Sequence, residues 1–171
     1  MQLQSKKKGI LFLITGAQGT GKTTIGKKLA LKIKKEFGST LYCDGDILRN
    51  IFELNDYSVE GRKKLDEPYL KFCNYIINKN INLVFSTVSA GWATKQKKLG
   101  LNFFEIYVTR PLKFRKKVKK NIFKYIKNQK LIKSKTYDIK ISNNNQKEMI
   151  NIFVNRIIRK FKTIFNKKFL S

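Results

Sequence analysis

Eight residues decide most of what this chain can fold into: Gly16-Ala17-Gln18-Gly19-Thr20-Gly21-Lys22-Thr23 fits G-x-x-x-x-G-K-[ST] at every fixed position. The flanks supply the context such a pattern needs. An apolar run from Ile10 to Thr15 leads straight into it as a strand. Thr23 to Phe37 leaves it with Ile25, Leu29, Ile33 and Phe37 along one stripe, as in an amphipathic helix. Glycines let the backbone curl until its N–H groups converge on phosphate oxygens, and the helix adds the positive end of its dipole. Gly16, Ala17, Gln18, Gly19, Thr20, Gly21, Lys22, Thr23 and Thr24 are therefore the expected residues of an ATP or GTP site, with Lys22 on the β- and γ-phosphates and the Thr23 hydroxyl on Mg²⁺. A glycine-rich turn without a ligand leaves Lys22 and Thr23 together unexplained.

Further apolar runs read as strands at Thr40 to Cys43, Asn82 to Ser86, Phe103 to Val108 and Tyr137 to Ile141. Helical spacing recurs in Leu65 to Asn80 (Tyr69, Phe72, Cys73, Ile76, Ile77) and in about Gln146 to Phe165 (Ile150, Phe153, Val154, Ile157, Phe161). Strands alternating with helices at this spacing imply βαβ units: an α/β fold of three layers, with a mostly parallel five-stranded sheet between helices. The last helix carries Arg156, Arg159, Lys160 and Lys162 on its other side. A terminal helix that packs on the core with a solvated basic face is preferred over one lying on a membrane.

Residues 1–171 are read as a single domain. No apolar run approaches the ~20 residues of a membrane span. The stretch Gly9 to Ile14 is too short for the core of a signal peptide, so a cytoplasmic protein is expected. The chain has no histidine, which excludes a His general base and a His-containing zinc site. Cys43 and Cys73 read as buried apolar fillers. The net charge of +27 favours polyanionic partners, yet Lys, Asn, Ile and Phe are all abundant, as in proteins from AT-rich genomes, so much of the lysine is also explained by codon bias.

At the next strand end comes Asp44-Gly45-Asp46-Ile47-Leu48-Arg49. Ligands of open α/β sheets sit beyond the carboxyl ends of strands, so Asp44 and Asp46 are expected to face Lys22 and its metal. One carboxylate helps hold Mg²⁺ and the other takes a hydroxyl proton. Capping of a helix starting near Ile47 is the alternative role, and the two are compatible. Arg49, one turn on, is placed to grip an anionic acceptor.

These pieces resemble the adenylylsulfate kinases, which transfer the ATP γ-phosphate to the 3′-hydroxyl of adenosine 5′-phosphosulfate. The resemblance spans roughly Gly9 to Ile141. Beyond the glycine-rich loop and Asp44 to Arg49, Tyr57-Ser58 with Arg62 looks like the family's G-F-S-x-x-x-R, and Val84 to Ser89 looks like the strand and turn near the acceptor. Glu105-Ile106-Tyr107-Val108 with Pro111-Leu112 looks like E-V-x-V-x-x-P-L, and Lys120-Asn121-Ile122-Phe123-Lys124 looks like K-G-L-Y-K of the lid. The resemblance implies a P-loop kinase fold with a basic lid over about 111–135. By position it makes Asp46, Lys22 and Lys120 catalytic, Thr23 and Asp44 the metal residues, and Asp44, Arg49, Tyr57, Arg62 and Val88 the acceptor-binding residues, with Tyr57 stacking on the base. ATP and Mg²⁺ are the implied cofactors, a small nucleotide the acceptor, and a homodimer an assembly common in the family.

The chain departs from the family after Arg62. Where the family reads x-x-N-I-R-R, this sequence has Lys63-Lys64-Leu65-Asp66-Glu67-Pro68, which also looks like a fresh helix start with its own cap and early proline. In the lid, Lys117-Val118 stands for the family's R-D. Glu67 near the sulfate end of the acceptor is expected to repel it. The phosphoryl-transfer parts are thus present while the sulfate-end parts are changed. The leading reading is an adenylylsulfate kinase-like enzyme acting on a nucleotide 3′-hydroxyl. The second is a cytidine diphosphoramidate kinase of capsular polysaccharide modification, a specialisation known in this family. The third is a nucleic-acid-binding P-loop ATPase motivated by the charge, ranked last because the basic residues are scattered.

Overall fold

A computed structural model describes residues 8–54, 56–88, 92, 102–115, 137–144 and 149–169. In chain order these form β1 (Leu11–Thr15), α1 (Lys22–Phe37), β2 (Thr40–Asp44), α2 (Gly45–Ile51), α3 (Val59–Lys64), α4 (Asp66–Asn78), β3 (Asn82–Thr87), β4 (Phe103–Thr109), a 3-10 turn (Leu112–Phe114), β5 (Ile139–Ser142) and α5 (Met149–Phe169). The five strands make one sheet in the order β2-β3-β1-β4-β5. Every pairing is parallel, with Thr15 level with Thr87 on one side and Tyr107 on the other. The sequence reading of a mostly parallel sheet thus becomes a wholly parallel one among the described residues.

Side-chain alternation along the strands builds two cores. Phe12, Ile14, Val84, Phe104, Ile106, Val108, Ile139 and Ile141 point to the face covered by α1 and α5, while Leu11, Leu13, Leu83, Phe85 and Phe103 point to the face covered by Leu48, Leu65, Tyr69, Cys73, Ile77 and Trp92. Because both faces are covered, β1 and β3 are buried at every position, which is why they read as unbroken apolar runs. The helix α5 packs as expected. Its Phe161 meets Phe12, Phe37, Phe104 and Phe165 at ring-centroid distances of 4.8, 5.3, 5.5 and 4.3 Å. Its expected start at Gln146 lies outside the described residues. No helix among them is long and apolar enough to cross a membrane. Cys43 and Cys73 are buried and unbridged, as expected of fillers.

Two boundaries differ for identifiable reasons. Strand β5 begins at Ile139, not Tyr137, because the Asp138 carboxylate accepts the Glu105 N–H at 2.7 Å while its own N–H donates to the Glu105 carbonyl. Tyr137 stacks on Tyr107 instead. The fresh helix start after Lys64 is present, since α3 ends there and α4 begins at Asp66. Its cap position, however, is Leu65, which caps nothing through its side chain and is buried in the core. Asp66 and Glu67 are first-turn acids, favoured there by the helix dipole.

Candidate active site

The glycine-rich loop sits at the carboxyl end of the central strand β1, and its glycines are there for geometry. Gly16 has φ 146° and lies so close to the Val108 carbonyl that a side chain is excluded. Gly21, at φ 95°, is the N-cap of α1 and offers no side-chain cap, so the first-turn N–H groups of that helix remain for a ligand. From just past the end of β5, the Asn143 amide donates to the Thr20 carbonyl at 2.9 Å, and the Thr20 hydroxyl donates to the Ala17 carbonyl at 2.9 Å, pinning the loop from beneath. The Lys22 ammonium arches back to donate to the carbonyls of Gly16 and Ala17, each at 2.9 Å. Burial pushes its pKa down to about 8, against the pull of Asp44 and Asp46 and with a further push from Arg115 and Arg62.

Asp44 ends β2, and its two carboxylate oxygens are engaged differently. One carboxylate oxygen accepts the Asp46 N–H at 3.1 Å and caps α2. The other accepts the Thr23 hydroxyl at 3.0 Å and the Tyr42 hydroxyl at 3.0 Å. Burial raises the Tyr42 pKa to about 12, so it stays a neutral donor. A hydroxyl and a carboxylate side by side, next to uncapped amides, are hard oxygen donors of the type Mg²⁺ prefers when it bridges to phosphates, so these residues fit the cofactors expected from the sequence. Asp46 is exposed in the first turn of α2.

A cavity of about 370 Å³ opens between the loop and α2–α4. Its walls include Gln18, Gly19, Gly21, Lys22, Thr23 and Thr24 on one side and Asp44, Asp46, Arg49, Tyr57, Arg62 and Val88 on the other. Gly16, Ala17 and Thr20 belong to the loop but form its underside and are not part of the wall. Lys120, with the rest of the lid beyond Arg115 and the Lys117-Val118 pair, lies outside the described residues. Arg49, expected to grip an acceptor, is engaged by the protein itself. It is buried, its Nη1 donates to the carbonyls of Leu54 and Asp56 at 3.2 and 2.9 Å, and its guanidinium lies 4.7 Å from the Tyr57 ring centroid. Arg62 donates through Nε to the Tyr57 carbonyl at 3.1 Å, and burial together with Arg49 lowers its pKa. The two arginines therefore shape the loop that carries Tyr57.

Glu67 corrects the sequence reading. Its carboxylate is largely exposed and pairs with Lys71 at 2.8 Å, and it is not part of the cavity wall, because its place on α4 turns it outward. Among the described residues it therefore stands outside the space in which the expected repulsion of a sulfate was to act. Tyr69, read only as part of an apolar stripe, lines the cavity and donates to the Gly45 carbonyl at 2.9 Å. Ser86, Thr87 and Arg110 also line it. Their positions at the carboxyl ends of β3 and β4 were the available signal. A helix residue such as Tyr69 offered none.

The strand, phosphate loop and helix, faced by carboxylates at the neighbouring strand end on a parallel sheet, make a P-loop fold with a candidate nucleotide site. A family model for adenylylsulphate kinase matches residues 8–150, and the chain belongs to that family. It is 32% identical over 108 residues to cytidine diphosphoramidate kinase of Campylobacter jejuni, a match covering 60% of this chain and 62% of that protein. It is 28% identical over 111 residues to adenylyl-sulfate kinase of Gloeothece citriformis, covering 63% of this chain and 62% of that protein. The matches thus span 62% of the length of these relatives. Among solved structures, the APS kinase of Mycobacterium tuberculosis in complex with AMPPNP and APS shares the fold, with a TM-score of 0.73 and 17% identity over 91% of this chain and 98% of that one.

Proposed function

We propose that this chain is an ATP- and Mg²⁺-dependent kinase that transfers the γ-phosphate to the ribose 3′-hydroxyl of a nucleotide conjugate. The observation that carries this reading is the shared cavity: Lys22 and Thr23 form one wall while Asp46, Tyr57 and Arg62 form the other. In this scheme Lys22 and the α1 amides bind the ATP phosphates, and Thr23 with Asp44 holds Mg²⁺, which supplies charge neutralisation. Asp46 orients the acceptor hydroxyl and takes its proton as the new P–O bond forms and the bond to ADP breaks. Arg49, Arg62, Tyr57 and Val88 hold the acceptor, and Lys120 comes from the lid. Positioning and charge neutralisation of this kind are most of what phosphoryl transfer needs.

Adenylylsulfate is the leading acceptor, from the family. Cytidine diphosphoramidate, as used in capsule modification, is the second reading, and one observation favours it. The segment Leu65 to Pro68 contributes neither an amide nor a cation to the cavity wall, since Leu65 is buried in the core and Glu67 is turned to solvent. A phosphoramidate end carries an NH₂ donor where sulfate has an acceptor oxygen, and so needs fewer donors facing it. The test is transfer from labelled ATP into adenylylsulfate, cytidine diphosphoramidate, other nucleotide conjugates and short RNA. Transfer to adenylylsulfate alone supports the first reading and transfer to cytidine diphosphoramidate alone the second. Transfer to none of the conjugates refutes both.

A further inference from the structure

Tyr42 is not part of the cavity wall, yet it touches the residue at the centre of it. Strand periodicity puts Tyr42 and Asp44 on the same face of β2, the face on which α1 packs. On that helix, Gly26 follows Thr23 by one turn and faces the same way. A helix interior disfavours glycine, but here the absence of a side chain has a use. A Cβ at position 26 would stand 2.6 Å from Tyr42 Cε2 and 2.9 Å from Ser86 Oγ. At those distances the ring has to shift, and because it is rigid any shift carries its hydroxyl with it. With glycine there, the ring keeps the position from which its hydroxyl donates to Asp44 Oδ2 at 3.0 Å, with Ser86 Oγ 3.4 Å away. The same carboxylate oxygen accepts the Thr23 hydroxyl, and the other oxygen is fixed by the Asp46 N–H.

We infer that Tyr42 is a positioning residue for the metal–nucleotide site: its hydroxyl sets the orientation in which Asp44 meets Thr23, and Gly26 is the notch that admits its ring. The inference rests on the assignment of Asp44 to Mg²⁺ made above. It does not need any acceptor to be known, because its readout is binding. The measurement is calorimetric affinity for ATP with Mg²⁺ and with EDTA, on the full chain. Tyr42→Phe keeps the ring in its notch and removes only the hydroxyl. It should weaken Mg²⁺·ATP binding about tenfold, the order expected for one lost hydrogen bond to a charged group, while leaving metal-free ATP binding unchanged. A purely structural role would move both affinities together. Gly26→Ala should produce the same selective loss, and the two substitutions combined should lose no more than the larger single effect, because both act through one contact. Equal losses with and without metal, no loss in Tyr42→Phe, or wild-type protein that binds ATP equally well in both conditions overturns the inference. Additive losses remove Gly26 from it. Selective loss in protein that phosphorylates no acceptor refutes the proposed function and leaves this inference standing.

Discussion

Replacing Arg49 by Met tests whether the acceptor-side loop is built by an arginine or merely passes near one. Met keeps an unbranched apolar stem and deletes the guanidinium. Three interactions go with it: the Nη1 bonds to the carbonyls of Leu54 at 3.2 Å and Asp56 at 2.9 Å, and the stacking on Tyr57 at 4.7 Å. A hydrogen bond from a charged donor contributes about 1.5–3 kcal/mol net and a partly desolvated cation–π contact about 1 kcal/mol. Since Arg49 is only 6% exposed, water replaces little of this. With the two bonds, which share one nitrogen, taken at the low end, the expected loss is about 4 kcal/mol, a value in the upper range for single substitutions. Urea unfolding followed by far-UV circular dichroism reads it directly. With Tyr57 released from Arg49, the KM for the acceptor should rise while the KM for ATP stays near its original value, because the phosphate loop shares none of these contacts. Arg49→Lys should recover less than half of the stability, since a single ammonium lacks the planar fork that reaches both carbonyls and covers the ring. A loss below about 1 kcal/mol in Arg49→Met, with the acceptor KM unmoved, would refute the reasoning.

Lys22→Ala should abolish transfer, and Asp46→Asn should lower kcat more than it raises the KM for ATP; unchanged turnover in Asp46→Asn removes its proposed role, as steady-state kinetics will show. Phe161→Ala, at the centre of the aromatic cluster under α5, should lower unfolding stability by about 3–5 kcal/mol in urea titrations. Burial raises the Cys43 pKa from 9.0 to about 11. The unfolded chain therefore ionises this thiol first as pH rises, so the stability of the wild type relative to Cys43→Ala should fall between pH 9 and 11. Wild-type thiols at pH 8 should react with a thiol reagent only at the rate of unfolding, because Cys43 and Cys73 are both buried.

Much of this architecture was legible in local pattern. The glycine-rich loop, the strands within one or two residues and the apolar faces of α1, α4 and α5 follow from periodicity and from glycine at positions of positive φ. These are properties of neighbouring residues, so a single sequence carries them. The candidate site was legible where strand ends meet the loop: Asp44, Asp46 and Arg49 follow β2, and a parallel sheet gathers such ends at one edge.

Contacts between distant segments were decided only by the tertiary structure. The order β2-β3-β1-β4-β5 depends on which strands pair, and no periodicity along one strand encodes its neighbour. Glu67 looked like a charge in the site, and the rotation of α4 sends it to Lys71 and solvent. Tyr69 looked like core, and the same rotation brings its hydroxyl to Gly45 at the cavity. Gly26 lies in α1 and Tyr42 in β2, and nothing in the pattern of either segment joins them. Their fit to each other, and through it the hold on Asp44, exists only once α1 lies across β2, because steric exclusion and hydrogen bonding act over a few ångströms of space whatever the distance along the chain.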